Sequence, residues 1–134
     1  MTAIAAAIDR SSFLRRVVLV DAATCVAMGL LLSLAANMLA PLLELPIRLL
    51  EYAGLSLLPI AAFIAWVATR SHLSRLGVWV VIAGNVAWVA GSALLLVSDW
   101  VSPNLLGSGF IAAQAATVVL LAGLEYVGLS RASR

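Results

Sequence analysis

Long apolar segments separated by short polar connections make up this chain. Residues 22–43, 52–69, 76–98 and 100–124 form four segments without a charged side chain. Each is about long enough to cross a hydrocarbon core of about 30 Å, which takes roughly 20 helical residues at about 1.5 Å per residue. A transmembrane β-barrel would show segments of about 10 residues with alternating polarity, and these runs do not alternate. The chain is therefore predicted to form four transmembrane α-helices.

Prolines, capping residues and charges define the expected helix limits. We predict helices over about residues 13–38, 47–69, 76–97 and 103–128. Pro41 is expected to end the first helix, and Pro46 suits the first turn of the second. Ser102 is the expected N-cap of the fourth helix, with Pro103 at its first position. A short helix at the membrane interface is expected between residues 40 and 50.

The predicted fold is an all-α transmembrane four-helix bundle, a single domain over residues 1–134 with short connections. The first helix has the basic flank of a secretory signal peptide, but its length and Asp21 favour a helix that is retained.

Composition narrows the class of protein further. The 134 residues are 64% hydrophobic and 10% charged, with a mean hydropathy of +1.14, which lies outside the range of soluble domains. There is no lysine for Schiff-base chemistry, and the one histidine, His72, cannot provide two haem ligands. The one cysteine, Cys25, rules out a disulfide within the chain. We therefore expect no enzyme activity, no catalytic residue, no cofactor and no metal site.

The arginines predict the orientation. Seven of the eight lie in the two tails or in the connection between the second and third helices: Arg10, Arg15, Arg16, Arg70, Arg75, Arg131 and Arg134. In a four-helix protein these segments share one side of the membrane, and only Arg48 lies on the other side. The positive-inside rule then places both termini in the cytoplasm. With a net charge of +2, contacts with anionic lipid headgroups are favoured over nucleic acid, which is not an expected partner.

Two acids lie inside the predicted helices. Asp21 and Glu125 fall some 8 to 9 Å inside the cytoplasmic boundary, counting about 1.5 Å per residue, and so share one layer. Neither has an opposite charge among its helical neighbours. They could form a proton- or cation-coupled pair, or a structural ion network with Arg70, Arg75 or Arg131. The structural interpretation is favoured, because water and long arginine side chains reach a shallow layer easily.

Two amides lie deeper, near the bilayer midplane. Asn85 and Gln114 are expected to hydrogen-bond to each other across helices, since neutral amides in membrane helices commonly do so. The alternative is that they contact a polar group of a bound small molecule.

Helical phase predicts which faces turn inward. The expected interior faces are Asp21, Thr24, Cys25 and Met28 on the first helix, Tyr52, Ser56, Pro59, Phe63, Trp66 and Arg70 on the second, and Gln114, Thr117, Leu121 and Glu125 on the fourth. The stripe with Ser56, Phe63 and Trp66 beside a proline kink could line a pocket for a lipid or pigment. Packing of these aromatic rings against neighbouring helices is the commoner role.

Small residues recur at four-residue spacing on every helix. The sets are Cys25, Gly29 and Ser33; Ala61 and Ala65; Ala83, Ala87 and Gly91; and Ala112 and Ala116. One bundle needs fewer such faces for its interior. The surplus predicts a homo-oligomer or a subunit of a larger membrane complex.

Several short stretches resemble a known group of proteins. Residues 75–88 with Gly84, Asn85 and Trp88, the pair 114–115 and the ending 125–129 are similar to small bacterial four-helix integral membrane proteins of uncharacterised function. The resemblance implies a bacterial inner-membrane location and transfers no site residues. This chain differs from small multidrug transporters in its strong arginine bias and in the shallow position of the acid in its first helix.

Two functional hypotheses follow. The first is a non-catalytic membrane component, either an accessory or oligomeric subunit or a binder of lipid or another hydrophobic small molecule. The alternative is a minimal proton-coupled transporter that uses Asp21 and Glu125, with Asn85 and Gln114 in contact with the substrate.

Overall fold

The computed structural model describes residues 2–132, apart from the side chains of residues 2 and 5–11. Five α-helices occupy this range: α1 (Thr2–Leu34), α2 (Ala36–Leu43), α3 (Ile47–Thr69), α4 (Arg75–Val97) and α5 (Leu105–Ala132). There is no strand within it. The helices α1, α3, α4 and α5 are long and apolar enough to cross a membrane, which confirms the predicted all-α fold with four spanning helices. Arg134 and the side chain of Arg10 lie outside what is described.

The helix limits differ from prediction at two places near the prolines. The first helix was expected to reach residue 38, but it ends at Leu34, and a separate α2 follows a bend at Ala35. Pro41 lies inside α2 and does not end a helix. Both Pro41 and Asn37, whose carbonyl loses its helical partner, are exposed, so water at a membrane surface could satisfy that carbonyl.

The N-terminus of α5 also differs from prediction. The helix begins at Leu105, because Asn104 and not Ser102 caps it: the Asn104 Oδ1 accepts a hydrogen bond from the Gly107 N–H at 2.8 Å. The Asn104 Nδ2 also donates to the Leu42 carbonyl at 2.9 Å. This one side chain therefore caps α5 and ties it to the end of α2.

The most extensive helix contact joins α1 to α3. A Cβ atom on Gly54 would lie 2.6 Å from the Ser33 nitrogen and 2.8 Å from the Gly29 oxygen, so the two backbones touch here. Only glycine permits this approach, as at small-residue contacts in membrane helices generally. The predicted small-residue face of α1 is thus used against α3.

The bundle is open on one side. The helix α1 packs extensively on α3, α4 packs on α5, and α1 also contacts α5. By contrast α3 and α4 make few contacts, and those shown include Val67 against Gly77 next to their connection. A cleft therefore separates α3 from α4 over most of their length.

Apolar cores close the two ends of this cleft. We call the end that carries Arg15, Arg16, Arg70 and Arg75 the arginine-rich end; its core is formed by Leu14, Val18, Ile64, Val67, Val78 and Leu129. The opposite end, called the α2 end, has a core formed by Leu32, Leu43, Leu45, Leu50, Leu57 and Ile111. The polar residues of interest lie between the two cores.

Candidate functional site

Three polar side chains meet inside the bundle and form what we call the carboxyl–amide cluster: Asp21 on α1, Asn85 on α4 and Glu125 on α5. They are 1%, 6% and 0% exposed. The Asn85 Nδ2 donates to the Asp21 Oδ2 at 2.7 Å and to the Glu125 Oε1 at 2.9 Å. One nitrogen therefore joins three helices and holds two carboxyl groups close to each other.

The remaining carboxyl oxygens are poorly satisfied. The Cys25 Sγ donates to the Asp21 Oδ1 at 3.7 Å, a long contact from a weak donor. The Glu125 Oε2 has no hydrogen-bond partner among the described residues, although it is buried. Buried polar atoms without partners are rare and often mark functional sites. The Asp21 Oδ1 and the Glu125 Oε2 are therefore acceptors that no strong donor of the described residues occupies.

The cluster is drier than the sequence analysis expected. Val18 and Leu129, each about one turn closer to the arginine-rich end, are buried and shield the acids on that side. The apolar core that closes this end of the bundle, and not the distance along the helix, therefore controls the access of water to the two acids.

Arginines seen near this end make other contacts. The Arg15 Nη1 donates to the Ala68 and Arg70 carbonyls, the latter at 2.7 Å. The Arg70 guanidinium lies 5.3 Å from the centre of the Trp66 ring. The contacts shown for Asp21 and Glu125 are instead with Asn85 and Cys25. An amide thus links the three helices at these acids, and a network with Arg75 or Arg131 stays a prediction.

The second amide lies in a separate group. The Trp88 Nε1 donates to the Gln114 Oε1 at 2.8 Å, and the Gln114 Nε2 donates to the Ser92 Oγ at 2.9 Å. The predicted bond between Asn85 and Gln114 is therefore wrong. Glu125 is about three helical turns from Gln114, so in this antiparallel helix pair Asn85 meets Glu125 while Gln114 meets residues further along α4.

A cavity adjoins the carboxyl–amide cluster. Its volume is about 530 Å³, and it lies between α1, α3, α4 and α5. Its wall is mostly apolar, with Met28, Ile60 and Phe63 among the lining side chains, and Asp21 and Asn85 lie on it. The volume falls within the range of small-molecule sites, and an apolar wall with a few polar groups is their usual character.

A second cavity of about 730 Å³ extends toward the α2 end. The two cavities share five lining residues: Met28, Ile60, Gly84, Trp88 and Gln114. A Cβ atom on Gly84 would meet no atom within 4 Å, so the space beside this glycine is open. The two cavities together follow the cleft between α3 and α4.

The predicted inward stripe of α3 lies at the edge of this cleft. Pro59 and Phe63 line the first cavity and Tyr52 and Ser56 the second, yet Phe63 is 39% exposed. Trp66, at 55% exposed, lines neither cavity.

The expectation that this stripe fills the bundle interior is wrong. The buried face of α3 includes Gly54 and Ala61, and Gly54 packs against Gly29 and Ser33 of α1. Because small residues allow the closer backbone contact, they turn α3 so that its aromatic side chains border the opening.

The predicted faces of α1 and α5 do line the first cavity. Asp21, Thr24, Cys25 and Met28 do so on α1, and Gln114, Thr117 and Leu121 on α5. Sequence reasoning missed Trp88 and Ser92. Their spacing of three and seven residues from Asn85 places them on the same face of α4 and could have identified them.

Fold and site together define a helical protein with four spanning-length helices around an apolar cavity that carries buried carboxyl groups. Across the described part of the chain, no three His, Cys, Asp or Glu side chains are grouped so that they could hold a metal ion. Comparison with protein-family models, curated proteins and solved structures finds no match to this chain.

Proposed function

We propose that this protein is an integral membrane protein that binds a hydrophobic small molecule in the cleft between α3 and α4, without catalysing a reaction. The observation that carries this proposal is the mostly apolar cavity of about 530 Å³ with Asp21 and Asn85 on its wall. Because the cleft opens sideways, a ligand would enter from the lipid phase. Phe63 and Pro59 at its edge would be the first side chains that it meets.

The location is part of the proposal. The arginine bias supports both termini in the cytoplasm, and the resemblance to bacterial four-helix proteins supports the inner membrane. Outward-facing small residues such as Ala112 and Ala116 also support self-association or a place in a larger membrane complex. Membrane lipids are the immediate neighbours of the exposed helix faces.

Blocking the cavity tests the binding proposal. Leucine at Gly84 would fill the space that both cavities share, without displacing a neighbouring atom at its Cβ. The matched control is Gly123→Leu, because Gly123 is equally open but lines neither cavity. The probe is 3-trifluoromethyl-3-phenyldiazirine, a small neutral photolabel, applied to the protein in nanodiscs and mapped by peptide mass spectrometry.

We expect saturable labelling of the peptide that contains Met28 in the unmodified protein and in Gly123→Leu, and its loss in Gly84→Leu. Labelling of lipid-facing peptides should rise in proportion to probe concentration in all three. Non-saturable labelling throughout the unmodified protein would contradict a binding cavity.

A second candidate function is favoured by the carboxyl–amide cluster. Two carboxyl groups on one amide, with the Glu125 Oε2 unpaired, could exchange a proton for a ligand, as a minimal proton-coupled transporter requires. Infrared difference spectroscopy can detect the protonated form directly. We expect a protonated-carboxyl band that is removed by Glu125→Gln or Asp21→Asn and kept in Asp99→Asn, a control at an exposed acid. A spectrum with ionised carboxyls alone at neutral pH would eliminate this candidate.

A further inference from the structure

The first cavity offers a ligand acceptors but few donors. Its lining includes six side chains that can donate a hydrogen bond: Thr24, Cys25, Asn85, Trp88, Gln114 and Thr117. Each of them already donates to an acceptor of the protein. The three hydroxyl and thiol donors bond within their own helices, to the carbonyls of Val20 and Ala113 and to Asp21.

The amide and indole donors are also in use. Both hydrogens of the Asn85 amide can be assigned, one to each carboxyl group, and the Gln114 amide donates to the Ser92 hydroxyl and the Ile111 carbonyl. The Trp88 indole donates to Gln114. A ligand that presents an anion or a carbonyl oxygen would therefore find no unused N–H or O–H group among these side chains, and burying such a group without a donor is unfavourable.

Acceptors are available by contrast. The Asp21 carboxyl lies on the cavity wall with one weak donor on its Oδ1, and the Glu125 Oε2 next to the same amide has no partner among the described residues. Asp21 lines this cavity and Glu125 shares the Asn85 amide with it, and no basic side chain is among the described residues that line the cavity. A positively charged group complements both the hydrogen-bonding capacity and the charge of this wall.

The rest of the lining suits the apolar body of such a ligand. Phe63 and Trp88 provide aromatic surfaces on opposite sides of the cleft, from α3 and α4. An organic cation is attracted to the face of an aromatic ring, and the protein already shows one such contact, Arg70 over Trp66 at 5.3 Å. Strongly hydrated metal ions lack the apolar surface that this wall requires.

We infer that the cavity binds a hydrophobic organic cation, with the charge against Asp21 and Glu125 and the apolar body between α3 and α4. This inference rests on the proposed binding function and assigns the chemical class of its ligand. It distinguishes the protein from a binder of neutral lipid, pigment or quinone, whose polar groups are mainly acceptors.

Three probes of similar shape and different charge test the inference without any substitution. They are tetraphenylphosphonium, the anion tetraphenylborate and neutral triphenylphosphine oxide, measured by equilibrium dialysis against the full chain in nanodiscs of zwitterionic lipid. Empty nanodiscs give the partitioning into lipid, which is subtracted. We expect saturable binding of tetraphenylphosphonium, at least about tenfold weaker binding of the neutral oxide, and no saturable binding of the anion; tenfold corresponds to about 1.4 kcal/mol.

Substitutions of the two acids then test whether the positive charge of the ligand lies beside them. Asp21→Asn and Glu125→Gln should each weaken tetraphenylphosphonium binding at least about tenfold and leave the oxide unchanged, because each replaces a carboxyl group beside the cation with a neutral amide. Asp99→Asn and Glu51→Gln are the matched controls at acids outside the first cavity and should bind as the unmodified protein does. Folding of every variant is checked by thermal unfolding, and the three-probe comparison decides the matter if an acid variant does not fold.

Equal or tighter binding of the neutral oxide in the unmodified protein would overturn the inference, as would cation binding that survives both acid substitutions in folded variants. In either case saturable diazirine labelling of the Met28 peptide would leave the binding function standing. Loss of that labelling as well would show that the cavity itself is not a site.

Discussion

At the residue scale, the site depends on Asn85. Its Nδ2 is the donor shared by Asp21 and Glu125, which come from two other helices. Without it, two buried carboxyl groups would lose their best donor and face each other directly. Hydrogen bonds to charged groups contribute about 1.5–3 kcal/mol each, and a buried group left unsatisfied costs about 1–3 kcal/mol.

We therefore expect Asn85→Ala to lower the free energy of unfolding by about 2–4 kcal/mol, because two bonds and a buried amide are lost together. Unfolding can be followed by tryptophan fluorescence in mild detergent with increasing denaturant. Asn37→Ala, at an exposed position of α2, is the control and should change stability by no more than about 0.5 kcal/mol. If both substitutions had the same small effect, the shared amide would not hold the helices together.

A double-mutant cycle tests whether Asn85 stabilises the protein through its hydrogen bond to Glu125. Replacing Glu125 by Gln removes one of the two carboxyl groups and supplies an amide donor beside Asp21. Asn85→Ala should then lower the free energy of unfolding by less in a Glu125→Gln background than in the unmodified protein. The difference, which is the coupling energy, should be about 0.5–3 kcal/mol. Additive effects would indicate that Asn85 does not stabilise the protein through Glu125.

At the element scale, the contact between α1 and α3 sets the shape of the bundle. A methyl group on Gly54 would press on backbone atoms of Ser33 and Gly29, at 2.6 and 2.8 Å, which cannot move without shifting a helix. We expect Gly54→Ala to destabilise the protein by about 1–3 kcal/mol, in the range measured for overpacking. It should also change the cleft, because α3 would be displaced from α1.

Gly123→Ala is the matched control for this substitution. Its Cβ would meet no atom within 4 Å, and alanine is favoured over glycine inside a helix by up to about 1 kcal/mol. The thermal unfolding temperature should therefore fall for Gly54→Ala and rise for Gly123→Ala. A stable Gly54→Ala with unchanged photolabelling would show that the close backbone contact is not needed.

Much of the helical layout could be predicted from the sequence, but the contacts between helices could not. Hydropathy alone defined the four long helices, and the limits of α3 agree with the predicted residues 47–69, because Pro46 and the charges beside Thr69 act locally. The start of α5 was missed because two capping candidates, Ser102 and Asn104, stand close together, and only Asn104 also reaches α2.

At the candidate site, too, the features of single helices could be predicted and the contacts between helices could not. Helical phase correctly predicted that Asp21 and Gln114 line a common space, since phase is a property of one helix. The partner of each amide depends on the axial register of α4 against α5, and the direction of the α3 aromatic stripe depends on which face meets α1. Both are tertiary properties that side-chain spacing within a single helix does not determine.

At the scale of the whole molecule, the open cleft and the arginine distribution make one joint prediction about access. If the arginine-rich end lies in the cytoplasm, the carboxyl–amide cluster is at the cytoplasmic side of the cavity, and the second cavity extends toward the periplasm. A ligand with its charge on Asp21 would then lie with its apolar body toward the membrane centre. The orientation of the chain therefore determines which side of the membrane the charged end of the proposed site faces.

Cysteine accessibility in intact cells tests this orientation. Cys25 is first replaced by alanine, and single cysteines are introduced by Ser71→Cys, in the connection of α3 and α4, or Ser102→Cys, in the connection of α4 and α5; both positions are exposed. Seven of eight arginines flank the side that carries Ser71, and translocating that side is disfavoured by the positive-inside rule. We expect a membrane-impermeant maleimide to label Ser102→Cys in intact cells and Ser71→Cys after permeabilisation. Labelling of Ser71→Cys alone in intact cells would show that the orientation is the reverse of the predicted one. Equal labelling of the two cysteines in intact cells would indicate that the chain inserts in both directions, which the arginine bias opposes.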